Sequence, residues 1–126
     1  MKRLRSFRRL QALMQAKSAV EEARLSKHSL AIAHLKGVSR SAEIERQIQR
    51  NQIINGQAID VSYSAWAERE GHQSRKRQKE IASAMVAHED QKRLTARAVG
   101  AKRVLNELIR NEQATLRQNR GRKVYF

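Results

Sequence analysis

The stretch INGQAIDVSYSAW, residues 54–66, is where a chain otherwise suited to continuous helix has the chemistry to reverse direction. Asn55–Gly56 can supply a left-handed helix C-cap. Asp60, Ser62 or Ser64 can cap the N-terminus of a following helix. A reversal here predicts an all-α fold, two long helices in an antiparallel coiled-coil hairpin. The expected division is helix one over about 4–54, a turn over about 55–63, helix two over about 64–118, and a basic tail over 119–126.

Composition supports helices on both sides of that turn. The 126 residues contain no proline and no cysteine, and Ala, Arg, Gln, Leu, Lys and Glu dominate, all strong helix formers. Only 4% of residues are aromatic, so a thick globular core is not expected. Without cysteine there is neither a disulfide framework nor a thiolate metal site, which fits a reducing compartment. No run approaches the roughly 18 apolar residues that a membrane span needs, so a soluble protein is expected.

The apolar spacing then gives two seams. Leu13, Ala16, Val20, Ala23, Lys27, Leu30, His34, Gly37, Ser41, Ile44 and Ile48 follow alternating steps of three and four. After the turn the same steps run through Ala84, Ala87, Gln91, Leu94, Ala98, Ala101, Leu105 and Leu108, then fade into Glu112 and Thr115. Pairing positions whose numbers total about 118 sets Leu13 against Leu105, Val20 against Ala98 and His34 against Ala84. Gly37 to Ser41 and Gly71 are the expected weak points. Lys27, His34 and Gln91, polar residues inside the seams, are read as fixing register and partner.

Charge is the most conspicuous functional signal. Lys plus Arg number 27 against 12 acids, a net +15, which favours acidic partners. MKRLRSFRRLQALMQAK, residues 1–17, sets Lys2, Arg3, Arg5, Arg8 and Arg9 around Leu4, Phe7, Leu10 and Leu13. A mitochondrial presequence has this character. Leu13 and Ala16 are nevertheless already in phase with Val20 and Ala23, so the segment is read as part of the fold. A hairpin brings Arg117, Arg120, Arg122 and Lys123 to the same end.

Nothing in the chain has the spacing of a catalytic or metal site. His28, His34, His72 and His88 lack a zinc or haem pattern. The paired acids Glu21–Glu22, Glu68 with Glu70, and Glu89–Asp90 lie beside basic residues and read as helix-surface ion pairs. Neither an enzyme nor a bound cofactor is expected. The basic run SRKRQK, 74–79, reads as a solvated face, with phosphate or lipid contact as its alternative. Ile53, Ile54, Ile59, Val61, Tyr63 and Trp66 crowd the turn, either closing it with a small local core or forming a docking patch.

An N-terminal helix beginning MKRLRSFRRLQALMQAKSAVEEARL, a central turn and a second helix containing EDQKRLTARAVGAKRVLNELIRNEQ give the chain an architecture that resembles the FliJ/YscO proteins of type III export systems. The resemblance is of architecture and composition and covers nearly the whole chain. It implies a small cytoplasmic stalk, peripheral to the inner membrane only through its partners. That stalk would enter the hexameric export ATPase, contact the export gate, and interact with export chaperones. Carried onto this sequence, Arg3, Arg5, Arg8, Arg9, Arg117 and Arg120 become candidates for the ATPase ring. Ile53, Ile54, Tyr63 and Trp66 become candidates for the gate. The competing expectation is a basic helical protein that binds nucleic acid through its phosphates, and a third is a basic amphipathic helix on anionic membrane.

Overall fold

A computed structural model describes the backbone over residues 2–56 and 61–125, and the side chains over 2–56 and 63–122. Two long α-helices pack against each other as a helical hairpin: α1, Lys2–Asn55, and α2, Val61–Tyr125. Neither helix breaks at the expected weak points, because no proline removes a backbone donor and an isolated glycine costs a helix only about 1 kcal/mol. At Gly37 and Gly100 an added Cβ would meet nothing within 4 Å. Gly37→Ala and Gly100→Ala are therefore each expected to raise stability by about 0.5–1 kcal/mol, read from the urea midpoint of the helical circular dichroism signal. A loss of stability from either would place an unrecognised neighbour against that glycine.

The helix ends differ in detail from the sequence expectation. Gly56 does not take up a left-handed φ; its N–H donates to the Gln52 carbonyl at 3.0 Å, one more helical step, so the left-handed cap at Asn55–Gly56 is not formed. Helix α2 begins at Val61, which leaves Ser62 and Ser64 inside it and not at a cap. The proposed cap Asp60 lies outside the described residues, as does Ile59. At its far end α2 runs on to Tyr125, so the stretch expected to be a basic tail is helical from 119 to 125. Cations in the last turns of a helix complement the negative end of its dipole, and Arg120 and Arg122 are placed to do so.

Contacts divide the hairpin into two units, Met1–Ser26 with Asp90–Phe126, and Lys27–Glu89. In the first, the least exposed positions of α1 are Leu4, Phe7, Gln11, Met14, Ser18, Glu21 and Leu25. They step by three and four as a coiled-coil seam must, but the row lies two residues from the one read in the sequence. Leu13 is 65% exposed and Val20 49%, so neither packs as a seam residue. At about 100° per residue a two-residue offset turns the helix roughly 200°, nearly to its opposite face. On α2 one row agrees, with Gln91, Ala98 and Leu105 buried, while the other lies one residue further on. Thr95 and Ile109 are buried where Leu94 and Leu108 were expected, and Leu94 and Leu108 are exposed. The pairs Leu13–Leu105 and Val20–Ala98 are consequently not packed seam layers. Gln11 Nε2 instead donates to Asn106 Oδ1 at 2.9 Å, across a seam closed by Ile109 and Leu105.

The second unit repeats the same offset. His28, Ile32, Leu35, Ser39, Ala42, Arg46, Gln49 and Ile53 are the half-buried positions of α1 there, whereas Lys27, Leu30, His34, Gly37, Ser41, Ile44 and Ile48 are exposed. No described residue of this unit is fully buried. Its seam carries Arg77, whose Nε and Nη2 are shielded from solvent with no hydrogen-bond partner among the described residues. Shielding guanidinium N–H groups without an acceptor costs free energy, so Arg77 weakens the seam of this unit. Ser29 Oγ and His88 Nε2, 3.1 Å apart, link the two helices at its edge.

Candidate functional site

The net charge is concentrated in one unit. Met1–Ser26 with Asp90–Phe126 carries 17 cations against 5 acids, a net +12, and Lys27–Glu89 carries 10 against 7, a net +3, which together make the chain's +15. Residues 1–20 and 113–126 contain no acid at all. The arginines singled out in the sequence, Arg3, Arg5, Arg8, Arg9, Arg117 and Arg120, are all exposed in this unit. They do not form one site. Arg5 and Arg8 from α1 and Arg120 from α2 line a single cavity of about 250 Å³, together with Leu4 and Leu116. Arg3, Arg9 and Arg117 do not line it.

Local structure explains the grouping. Arg5 and Arg8 are three residues apart and so share a helix face, directly beside the half-buried row begun by Leu4 and Phe7. Leu116 belongs to the half-buried row of α2, and Arg120 stands one turn beyond it. The result is an apolar floor with a guanidinium rim. The sequence shows the arginines and sets Leu4 in an apolar ladder with Phe7, Leu10 and Leu13, but does not bring Leu116 to it. The available signal was the step from Leu4 and Phe7 to Gln11 and Met14, which continues the packed row.

A different kind of site lies further into the same unit, where the seam is polar. Gln91 Nε2 donates to Glu21 Oε2 at 2.5 Å and lies 3.3 Å from the Glu21 carbonyl oxygen. Thr95 Oγ1 donates to the Gln91 carbonyl at 2.8 Å and is 3.2 Å from the Glu21 carbonyl. Arg24 Nη1 adds an ion pair to Glu21 Oε1 at 3.0 Å. Of the three polar seam residues expected from spacing, only Gln91 is buried, while Lys27 and His34 are exposed. Glu21 and Thr95 were not foreseen, because the chosen row ran along the other faces. The cluster is internally satisfied, so it can fix register but has no spare group directed at a substrate.

The turn-end candidates are distributed between packing and exposure. Trp66 Nε1 donates to Gln49 Oε1 at 3.0 Å, tying α2 to α1, and the Tyr63 and Trp66 rings lie 6.0 Å apart at 35°. Ile53 and Tyr63 are half-buried, whereas Ile54 is 43% exposed. The side chains of Ile59 and Val61 lie outside the described residues. In the SRKRQK run, Arg77 is turned into the seam, which leaves Arg75, Lys76 and Lys79 on the exposed side. Among the described residues no group of three or more His, Asp or Glu could hold a metal ion, and no helix is long and apolar enough to cross a membrane.

Comparison of the chain with protein-family models, with curated proteins and with solved structures finds no match in any of the three.

Proposed function

We propose that this protein is a non-catalytic, cytoplasmic coiled-coil stalk of a type III or flagellar export apparatus. In this reading it binds and regulates the export ATPase ring and meets the export gate or export chaperones. The reading rests on the sequence resemblance, and the observation that favours it is the partition of charge: a net +12 on the unit holding both chain ends, against +3 on the other. A stalk inside a ring needs one end whose contacts are numerous, long in range and individually weak. Exposed arginines provide that, because their attraction to an acidic surface steers encounter and is screened by salt. In this proposal Arg3, Arg5, Arg8, Arg9, Arg117 and Arg120 face the ring, and Ile53, Ile54, Tyr63 and Trp66 face the gate.

The test is a capture experiment in lysate of the source organism at about 150 mM salt, where exposed charges are screened beyond roughly 8 Å, with nuclease present. Recovery of a hexameric ATPase is the expected result, and the purified protein should then stimulate its turnover. The variant R3E/R5E/R117E/R120E should lose at least 5-fold of that stimulation while keeping its helical circular dichroism signal; full stimulation by that variant overturns the reading. The same +12 also favours a nucleic-acid binder. Loss of every partner on nuclease treatment, with affinity for DNA or RNA falling steeply in salt, would establish that reading in its place.

A further inference from the structure

We infer that the cavity lined by Leu4, Arg5, Arg8, Leu116 and Arg120 is a docking notch for a protein segment that presents one apolar side chain between carboxylates. This deepens the stalk reading by naming the chemistry of the segment gripped, and it rests on that reading only for the partner's identity.

Three features of the notch select that occupant. Its volume, about 250 Å³, is below the roughly 300–1,000 Å³ of small-molecule sites, but gives room for a single leucine-sized or phenylalanine-sized side chain. Its floor is two half-buried leucines from different helices, so an inserted apolar group would cover surface already half withdrawn from water. Its rim is three guanidiniums, each a planar fork suited to bidentate pairing with a carboxylate.

Charge complementarity completes the case. No acid occurs in residues 1–20 or 113–126, and among the described residues none of the three rim arginines has an acidic partner. The ion pairs recorded elsewhere, Arg24–Glu21 and Arg46–Glu43, engage other arginines. Three like charges around one opening repel each other until counter-charge arrives. Nucleic acid would supply phosphate but would leave the leucine floor unused, and single strands are held by stacking on aromatic rings, of which the notch has none. A membrane-surface helix needs a broad apolar face, where this floor is two side chains wide. An acidic peptide with a central apolar residue uses floor and rim together.

The experiment titrates full-length protein, with methyl-labelled leucines, with two peptides, acetyl-DEELEELD-amide and its serine counterpart acetyl-DEESEESD-amide. The leucine peptide should bind at least 5-fold more tightly and shift the Leu4 and Leu116 methyl resonances. R8Q/R120Q should weaken both peptides, whereas L4N/L116N should erase the difference between them without loss of helical signal. Equal affinity of the wild-type protein for the two peptides overturns the inference. Larger methyl shifts from a 12-residue oligothymidine, or from phosphatidylserine vesicles, also overturn it, in favour of nucleic acid or lipid. The two proposals fail separately. Peptide selectivity without recovery of an ATPase removes the stalk and leaves the notch, whereas wild-type ATPase stimulation by L4N/L116N removes the notch and leaves the stalk.

Discussion

Ile109→Ala is expected to lower the stability of the hairpin by about 2–4 kcal/mol, whereas Leu108→Ala, one residue away, is expected to change it by no more than about 0.5 kcal/mol. The two side chains are the same size and occupy the same helix, and the lower helix propensity of β-branched Ile would by itself make Ile109→Ala the milder change. Packing reverses that order: Ile109 is 6% exposed and Leu108 is 45% exposed. Removing buried methyl groups forfeits their transfer from water and leaves a cavity that rigid helices fill poorly. Natural domains hold only about 5–15 kcal/mol in total, and this seam has few buried apolar residues, Ala98, Leu105 and Ile109 among them. One deletion is therefore a large fraction of the whole. With a urea slope of about 1–3 kcal/mol per molar, the midpoint for Ile109→Ala should fall by about 1 M or more, while that for Leu108→Ala stays near wild type. Leu25→Ala and Leu13→Ala give the corresponding contrast on α1, since Leu25 is half-buried and Leu13 is 65% exposed. If Leu108→Ala and Leu13→Ala cost as much as Ile109→Ala, the packed faces are those the sequence spacing implied.

That contrast also marks how far the sequence could be read. Two long helices and their reversal near Asn55 were legible because every local preference agreed: no proline, strong helix formers throughout, and one cluster of turn residues. Rotation of the helices was not legible. Along α1 the row through Leu13, Val20, Leu30, Ile44 and Ile48 and the row through Met14, Leu25, Ile32 and Leu35 both satisfy the coiled-coil step, on nearly opposite faces. Hydrophobic periodicity identifies a face only when one face is clearly more apolar than the others. Here the choice is made between helices, by which row of α1 accommodates Leu105, Ile109 and the polar groups of Gln91 and Thr95. The candidate site inherited the same limit. The exposed arginines were visible as composition, but the grouping of Arg5, Arg8 and Arg120 over Leu4 and Leu116 follows from the rotation.

The polar part of the seam gives the second large effect. Gln91→Leu alone should destabilise the hairpin by about 2–3 kcal/mol, because it removes the cross-helix donor of a carboxylate that is itself buried. Arg24 does not compensate, since its side chain is 60% exposed and its pairing with Glu21 is shared with water. Glu21→Leu alone should cost less, about 1–2 kcal/mol: it strips Gln91 of an acceptor but leaves the Glu21 carbonyl within 3.3 Å of the same Nε2. The double variant E21L/Q91L should return to within about 1 kcal/mol of wild type or exceed it, as apolar replacement of a buried polar pair often does. The non-additivity, read from urea midpoints of the four proteins in a double-mutant cycle, is the signature of direct coupling between the two side chains. Additive losses would show instead that each residue acts through separate neighbours. Stability and specificity should then separate. A leucine pair can pack in several registers, whereas Gln91 reaches the Glu21 carboxylate in one, so backbone amide NMR spectra of E21L/Q91L should show more than one resonance for seam residues where wild type shows one. A single set of resonances would mean that Gln11–Asn106 and the apolar layers hold the register without the cluster, and that its polarity contributes nothing to choosing one alignment of α1 with α2.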